Sequence, residues 1–466
     1  MGKEQTKGLG LLVLAGGMGT RMKSALPKVL HRFSGRPLVG HVLKSGETVG
    51  PDGVGVVVGH GAEAVARELE SGSAAWGLRV KAATLLQKEL SGSGRAAFEA
   101  LPFIQDFKEV LVLCGDAPLI RPETLSGLLG HFRSTASAAT VLTASVPDPS
   151  GYGRIVKNPS GEVLRIVEQS ETDAQTAAIT EINSGMYVFD AGALAQALPQ
   201  LKQKGPKKEY YLTDVLELIR GRGLKVTAFQ APDYREILGI NSRLQLAEAA
   251  AIMRERVLLK LMDSGVTVLD PASAFIEDTV QIGQDTVIHP GVCLSGATVI
   301  GRNCSIGPCC AVKDTVLGDG TVVKFGCSLE GARTEADCAV GPFSHLRPAA
   351  SLKAGAKVGN FSEVKKSVVG ARSKVNHLSY IGDATVGDDV NIGAGTITCN
   401  YDGVKKHPTV LGNGVFVGSN VNLVAPVTVG AGALLAAGST ITDDVPEGAL
   451  AIARGRQVIK PLKQKV

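Results

Sequence analysis

Through much of the carboxyl-terminal half of this chain an aliphatic residue recurs at every sixth position. The series runs Ile276, Ile282, Ile288, Leu294, Ile300, Ile306 and Val312. Four places after each stands a second, smaller residue: Val280, Thr286, Val292, Thr298, Cys304, Cys310 and Val316. The series resumes at Val340, Leu346, Leu352, Val358 and Val364, and again at Val417, Leu423, Val429, Leu435 and Ile441. Such a period fits neither a helix, at about 3.6 residues, nor a lone alternating strand, at about 2. It predicts a parallel β-helix, in which each hexad makes one flat side of a triangular coil and stacking buries the aliphatic column.

The composition agrees. Glycine reaches 57 residues and aromatics only 4%, which favours tight repeated turns over a large aromatic core. The eight cysteines are Cys114, Cys293, Cys304, Cys309, Cys310, Cys327, Cys338 and Cys399. No Cys-x-x-Cys pair occurs among them, which argues against zinc. Cys304 and Cys310 fall in the small inward slot, where packing is expected. Free thiols in a reducing cytoplasm fit this usage. Net charge is +5, and the basic residues are not interleaved with aromatics, so nucleic acid is a poor partner. No apolar run approaches the ~20 residues of a membrane helix.

The amino-terminal half has another texture. "LLVLA" (11–15), "GVGVVVG" (53–59) and "VLVLCGD" (110–116) are apolar strands, and helical stretches such as "AEAVAREL" (62–69) and "PETLSGLLGHF" (122–132) follow. This alternation predicts a parallel sheet covered on both faces, with ligands at the strands' carboxyl ends. Two polar features sit at such ends. One is the loop in "LAGGMGTRMKSALPK" (14–28), whose glycines let backbone N–H groups approach phosphate, with Arg21 and Lys28 to supply charge. The other is Asp116, a hard carboxylate suited to Mg²⁺. Between the halves, 244–264 reads as one linking helix, with Ser242 as its N-cap and Gly265 as its stop. The expected domains are thus 1–243, the 244–264 linker and 265–466.

Repeat proteins place function where insertions leave the frame. From Val364 to Val375 the step is 11 residues, and from Ile392 to Val417 it is 25. Polar residues crowd both breaks. His377, two places after Val375, faces outward on this ruler, near Lys365, Tyr380, Asn391, Asn400 and Tyr401. Imidazole, which as a type titrates near neutrality, suits proton removal from an attacking amine.

These motifs resemble known families. "LAGGMGTRM…PK" resembles the signature of sugar-phosphate nucleotidyltransferases. "LQKELSGSGRA" (86–96) is similar to their base-reading segment and "CGDAPL" (114–119) to their metal-aspartate segment. "GYGRI", "VEQ" and "INSGMY" resemble sugar-binding segments, and "GINSR" (239–243) the segment giving a second metal ligand. "KVNHLSYIGD" with "GAGTITCNYDG" resembles the acetyltransferase half of the bacterial bifunctional N-acetylglucosamine-1-phosphate uridyltransferases/glucosamine-1-phosphate N-acetyltransferases. The likeness runs from Leu11 to about Arg456.

That resemblance implies a Rossmann-like nucleotidyltransferase domain, a linking helix and a left-handed parallel β-helix. The left hand is an exception to the right-handed crossover rule. A homotrimer is implied as well. The implied activity transfers the acetyl group of acetyl-CoA to glucosamine 1-phosphate, releasing coenzyme A, then the uridylyl group of UTP to N-acetylglucosamine 1-phosphate, releasing pyrophosphate, and feeds peptidoglycan and lipopolysaccharide. His377 would be the base of the first reaction. Arg347, Lys365, Tyr380 and Asn391 would hold glucosamine 1-phosphate, and Ala394, Asn400, Tyr401, Ser419, Ala437 and Arg454 acetyl-CoA. In the second reaction Leu14, Ala15, Gly16, Gly17, Arg21 and Lys28 would serve the UTP phosphates, and Gln87, Gly92 and Ser93 the uracil. Gly153, Glu168 and Asn183 would hold the acetylated sugar, and Asp116 and Asn241 Mg²⁺. Lys463 and Lys465, in the basic tail, read as solvated. The chain departs from the family pattern at Ser91, Ser93 and Cys114. Two alternatives stand beside this reading: a single-reaction nucleotidyltransferase with a structural β-helix, and a non-catalytic scaffold.

Overall fold

The computed structural model describes residues 7–74, 76–205 and 208–461; Lys463 and Lys465 lie outside the described residues. The chain divides into two compact units, Met1–Ala251 and Ile252–Val466.

The first unit is built on one sheet of nine strands. In chain order they are β1 (Lys7–Leu14), β2 (Gly53–Val58), β3 (Ala82–Leu86), β4 (Phe107–Cys114), β5 (Ala139–Ser145), β6 (Arg154–Lys157), β7 (Val163–Val167), β8 (Glu181–Asp190) and β9 (Val226–Gln230). Their order across the sheet is β9-β5-β8-β4-β1-β2-β3, with β6 pairing both β8 and β7. Strands β4, β1, β2 and β3 run parallel, as the apolar runs predict. Leu11, Leu12, Val13, Leu111, Val112 and Leu113 on the two central strands are fully buried.

The expectation of a wholly parallel sheet is corrected at β8, which runs antiparallel to both β4 and β5. A strand buried on both faces reads as the same apolar run in either direction, so composition does not encode its polarity.

The second unit is a three-sided parallel β-helix. Its strands stack into three sheets, running from Thr267–Val268 to Leu450–Ala451, from Phe275–Ile276 to Thr440–Ile441, and from Gln281–Ile282 to Val427–Val429. The aliphatic column is in register: Val375 pairs with Ile392 and Ile392 with Val417 on the first sheet, Val364 with Ile381 on the second. All of these are buried.

Thr, Ser and Cys in the small slot have a structural task. Their side chains donate to corner carbonyls that no sheet ladder satisfies. Thr286 Oγ1 donates to Gly301 O at 2.8 Å, Ser373 Oγ to Gly387 O at 2.6 Å and Cys304 Sγ to Gly318 O at 3.3 Å.

The ruler does not stop between Val312 and Val340. It shortens to five at the corner between the second and third sheets, where buried Leu317 follows Val312 and buried Thr334 follows Leu329. This corrects Val316, expected in the small slot. Thr315 fills that slot, fully buried, and Val316 is only half-buried. Val369 divides the step from Val364 to Val375 in the same way. Dropping one residue at a corner leaves the flat sides, and hence the buried column, intact.

The linking helix runs Arg243–Asp263. Ser242 Oγ accepts from Gln245 N at 3.2 Å, the N-cap bond its position predicts. Gly265, at φ +92°, ends the helix in a left-handed conformation.

Candidate active sites

In the first unit, chain turns gather at the carboxyl edge of the sheet. Ala15 N donates to Val57 O at 2.8 Å and Gly115 N to Leu14 O at 2.9 Å. The loops after β1 and β4 therefore lie side by side. They border a cleft of about 470 Å³ lined by Leu14, Ala15, Gly16, Gly17, Lys28, Gln87, Gly92, Ser93 and Asp116. Gln87 is buried and its Nε2 donates to Glu89 O at 2.8 Å. A methyl group on Gly16 would stand 2.5 Å from Gln87 Oε1, so glycine is what lets that amide meet the loop. Gly92, at φ +102°, would meet Tyr210 O at 2.4 Å if it carried a Cβ. Ser93 lines the cleft while its Oγ accepts from Leu212 N at 3.1 Å.

Lys28 closes one side. Its ammonium donates to Asp116 Oδ2, and to Asn241 Oδ1 at 2.9 Å. Two hard oxygens thus converge on one cation. That donor pair fits Mg²⁺, which takes few protein ligands and leaves its other positions to water and phosphate. Among the described residues no group of three His, Cys, Asp or Glu converges as a metal site. Arg21 is not brought to this cleft: it is exposed on the turn Thr20–Met22.

Gly153, Glu168 and Asn183 come together a little further along the edge. A Cβ on Gly153 would stand 2.8 Å from Ile166 Cγ2, 3.5 Å from Glu168 Oε2 and 3.7 Å from Asn183 Cβ. Burial pushes the Glu168 carboxyl above its ordinary value, only partly offset by the Thr213 hydroxyl at 3.2 Å. Asn183 Oδ1 accepts from Tyr187 Oη at 3.1 Å and from Gly185 N at 3.0 Å, so its amide N–H groups are its remaining donors. Cys114, also lining the cleft, donates to Gly185 O at 3.2 Å. Burial, with the Asp116 charge, pushes its thiol up to about 12, so it is a packing group rather than a nucleophile.

In the second unit the corner between the first and second sheets makes a column. His377, Ala394, Ser419 and Ala437 each lie two places after a stacked partner: Val375, Ile392, Val417 and Leu435. The column is invisible as a motif, since its members lie far apart in the chain. Arg454 Nη1 donates to Ala437 O at 2.8 Å, which sets the guanidinium at the column's end. Asn360, two places after Val358, occupies the same corner one coil before His377, and its Oδ1 lies 2.9 Å from His377 Nδ1. A carboxamide oxygen only accepts, so Nδ1 carries the hydrogen. Asn360 escaped the sequence reading, although the ruler places it directly beneath His377.

Around the second sheet stand the basic groups. Arg347 and Lys365 each follow a buried column residue, Leu346 and Val364, in adjacent coils. Arg347 Nη1 is 2.7 Å from Glu363 Oε1. A second overlooked residue is Lys406. The loop after Cys399 folds back through a Tyr401–Lys406 bridge, and the Lys406 ammonium beside Lys365 holds the latter below its ordinary value, Arg347 adding to the effect. Tyr380 is on the same second sheet. Asn391 is not brought to it, lying instead on the first sheet between Lys374 and Phe416. Asn400 is buried, donating to Asp383 Oδ2 at 2.6 Å, and Tyr401 is exposed, donating to Gly403 O.

Residues 11–244 match the nucleotidyl transferase family, and residues 279–314 and 408–443 match the bacterial transferase hexapeptide repeat. The latter is the repeat of left-handed β-helices. The chain is 50% identical over 451 residues to the bifunctional protein GlmU of Heliobacterium modesticaldum, covering 96% of each chain. It is 47% identical to that of Geobacillus sp. strain WCH70, covering 96% of each, and 48% identical to that of Brevibacillus brevis, covering 96% of this chain and 95% of the relative. The likeness covers both units of the chain, and the chain belongs to the bifunctional GlmU family.

Proposed function

We propose that this chain makes UDP-N-acetylglucosamine in two steps at two separate sites. In the β-helix, the amine of glucosamine 1-phosphate attacks the thioester carbonyl of acetyl-CoA. The amide bond forms, the C–S bond breaks and the coenzyme leaves as a thiol. His377 takes the proton that the amine must lose. The observation that carries this reading is the Asn360–His377 bond. It fixes the imidazole with hydrogen on Nδ1 and leaves Nε2 as the basic nitrogen, exposed at the corner. A β-helix serving only as structure has no use for a held imidazole there.

Arg347, Lys365 and Lys406 supply the positive charge a sugar phosphate needs, and Tyr380 stands beside them. The small residues Ala394, Ser419 and Ala437 leave a shallow lane for the extended arm of acetyl-CoA. Arg454 at its end suits the coenzyme's phosphates, and in this reading Asn400 and Tyr401, after Cys399, serve the coenzyme as well. Asn391, on the other sheet, serves in this reading across a junction with a second copy. From the likeness to the bifunctional GlmU proteins, not from any interface, we infer a homotrimer, which light scattering would read as three times 48.3 kDa; a monomer would oppose it.

In the first unit, a phosphate oxygen of N-acetylglucosamine 1-phosphate attacks the α-phosphorus of UTP, and the bond to pyrophosphate breaks. The protein's part is positioning and charge. Leu14 to Gly17 present backbone groups to the triphosphate, and Lys28 neutralises it. Gln87, Gly92 and Ser93 read uracil, while Gly153, Glu168 and Asn183 hold the acetylated sugar. Mg²⁺, held by Asp116 and Asn241, supplies further charge neutralisation when bound. All eight cysteines are free, and no helix of the described residues is long and apolar enough to cross a membrane; we place both reactions in the cytoplasm.

Purified protein tests this directly. It should release thiol from acetyl-CoA with glucosamine 1-phosphate, and pyrophosphate from UTP with N-acetylglucosamine 1-phosphate. Pyrophosphate without thiol would leave a nucleotidyltransferase with a structural β-helix.

A further inference from the structure

One buried cation in the first unit makes no contact ion pair. Arg154, on β6, is only 2% exposed. Among the described residues no carboxylate is within ion-pair distance of it: Asp148 feels its charge only through space, and its Nε is buried without a hydrogen-bond partner. Its other nitrogens bond neutral oxygens: Nη1 donates to Tyr152 O, and Nη2 to Gln169 Oε1 at 3.0 Å. Burying a charge without a carboxylate in contact is unfavourable, so what Arg154 holds in place matters.

It holds one turn from both ends. The turn is Gly151-Tyr152-Gly153. Arg154 grips the Tyr152 carbonyl, while the Gln169 oxygen it orients also accepts from Gly151 N at 2.8 Å. Arg154 is also a crossing point of strands: it pairs with Val167, next to Glu168, and with Ile182, next to Asn183. The residue between turn and crossing is Gly153, whose Cα faces Glu168 and Asn183 with no room for a side chain. One guanidinium thus sets the mutual position of all three members of the sugar cradle, and it does so without lining the uracil cleft.

We propose that Arg154 is the positioning residue of the sugar subsite, holding the turn at 151–153 in register with Glu168 and Asn183 through Tyr152 O and Gln169. It governs the fit of the acetylated sugar phosphate and not that of UTP. The proposal rests on the uridylyl-transfer reading given above. Wild-type turnover of UTP with N-acetylglucosamine 1-phosphate is the control that separates failure of that reading from failure of this one.

The test uses the full chain with Arg154→Met, Arg154→Lys, Gln169→Ala and the Arg154→Met/Gln169→Ala double variant. KM for N-acetylglucosamine 1-phosphate should rise about tenfold in Arg154→Met. KM for UTP should stay within about twofold and thiol release should match wild type. Lysine should not restore the low KM, because an ammonium lacks the planar fork that spans both oxygens. Gln169→Ala should raise the same KM by less, and the double variant should be no worse than Arg154→Met. Gln169 is exposed, so its variant keeps the question answerable if Arg154→Met does not fold. Equal rises in both KM values, an unchanged KM in Gln169→Ala, or full rescue by lysine would overturn the proposal.

Discussion

At the scale of single residues, the proposed acetyl transfer turns on one nitrogen of His377. Its side chain is exposed, so burial does not orient it; the bond from Nδ1 to Asn360 Oδ1 at 2.9 Å does. Replacing Asn360 with alanine frees the ring to turn and to change tautomer. Losing general-base catalysis altogether is worth about 10²–10⁴ in rate. Asn360→Ala should therefore lower kcat for thiol release by roughly tenfold to a hundredfold, with pyrophosphate release unchanged. Steady-state kinetics of both half-reactions would show this, and an unchanged kcat for thiol release would remove Asn360 from the mechanism. His377 was legible in the sequence because the ruler turns it outward among polar residues, although the 11-residue step before it is only a shortened corner. Asn360 and Lys406 were not. Asn360 sits in an unbroken stretch, and only stacking one coil on the next brings it under His377. Lys406 reaches Lys365 only because its loop folds back. Arg21 shows the converse: its charge and motif were legible, its exposed position on the turn Thr20–Met22 was not.

At the scale of elements, the insertion after Cys399 is a small device of its own. Asp402 Oδ1 accepts from Val404 N at 2.8 Å and Lys405 N at 2.7 Å, and its Oδ2 meets His407 Nε2 at 2.6 Å. The Lys405 backbone bond, then His407 and the Val404 backbone bond, hold the Asp402 carboxyl down at about 2, against an ordinary 3.8. A depressed carboxyl contributes order above its ordinary value and loses it as pH falls through the depressed one. The loop should thus be held at all pH values above about 4 and released between pH 3.8 and about 2. Amide exchange at Val404 and Lys405 reads this. Asp402→Ala should remove their protection at neutral pH and raise KM for glucosamine 1-phosphate, since Lys406 is no longer held beside Lys365. Retained protection in that variant would contradict the assignment.

The elements themselves were largely legible. Flat hexads and apolar strands repeat because stacking and double-faced burial demand it. The five-residue corners were not legible, because a shortened turn alters only the spacing between sides, and Thr315 can replace Val316 in the slot without any change in composition. The antiparallel course of β8 was hidden for a similar reason: apolarity reports burial and not direction.

At the scale of the whole molecule, the chain joins two units that share no residue of either site. The nucleotide cleft is drawn from residues up to Asn241, and the acetyl-transfer corner from residues after Arg347. The glycine loop "LAGGMGTRMKSALPK" and the hexad ruler were each readable alone. What made the pairing specific was their order, joined by a helix whose cap at Ser242 and stop at Gly265 the sequence spelled out. The central claim is that the two reactions are separable. The most direct measurement is His377→Ala in purified full-length protein, with thiol release and pyrophosphate release followed separately. The account predicts that thiol release falls by about 10² or more while pyrophosphate release stays at the wild-type rate. Thiol release that survives the substitution would contradict it.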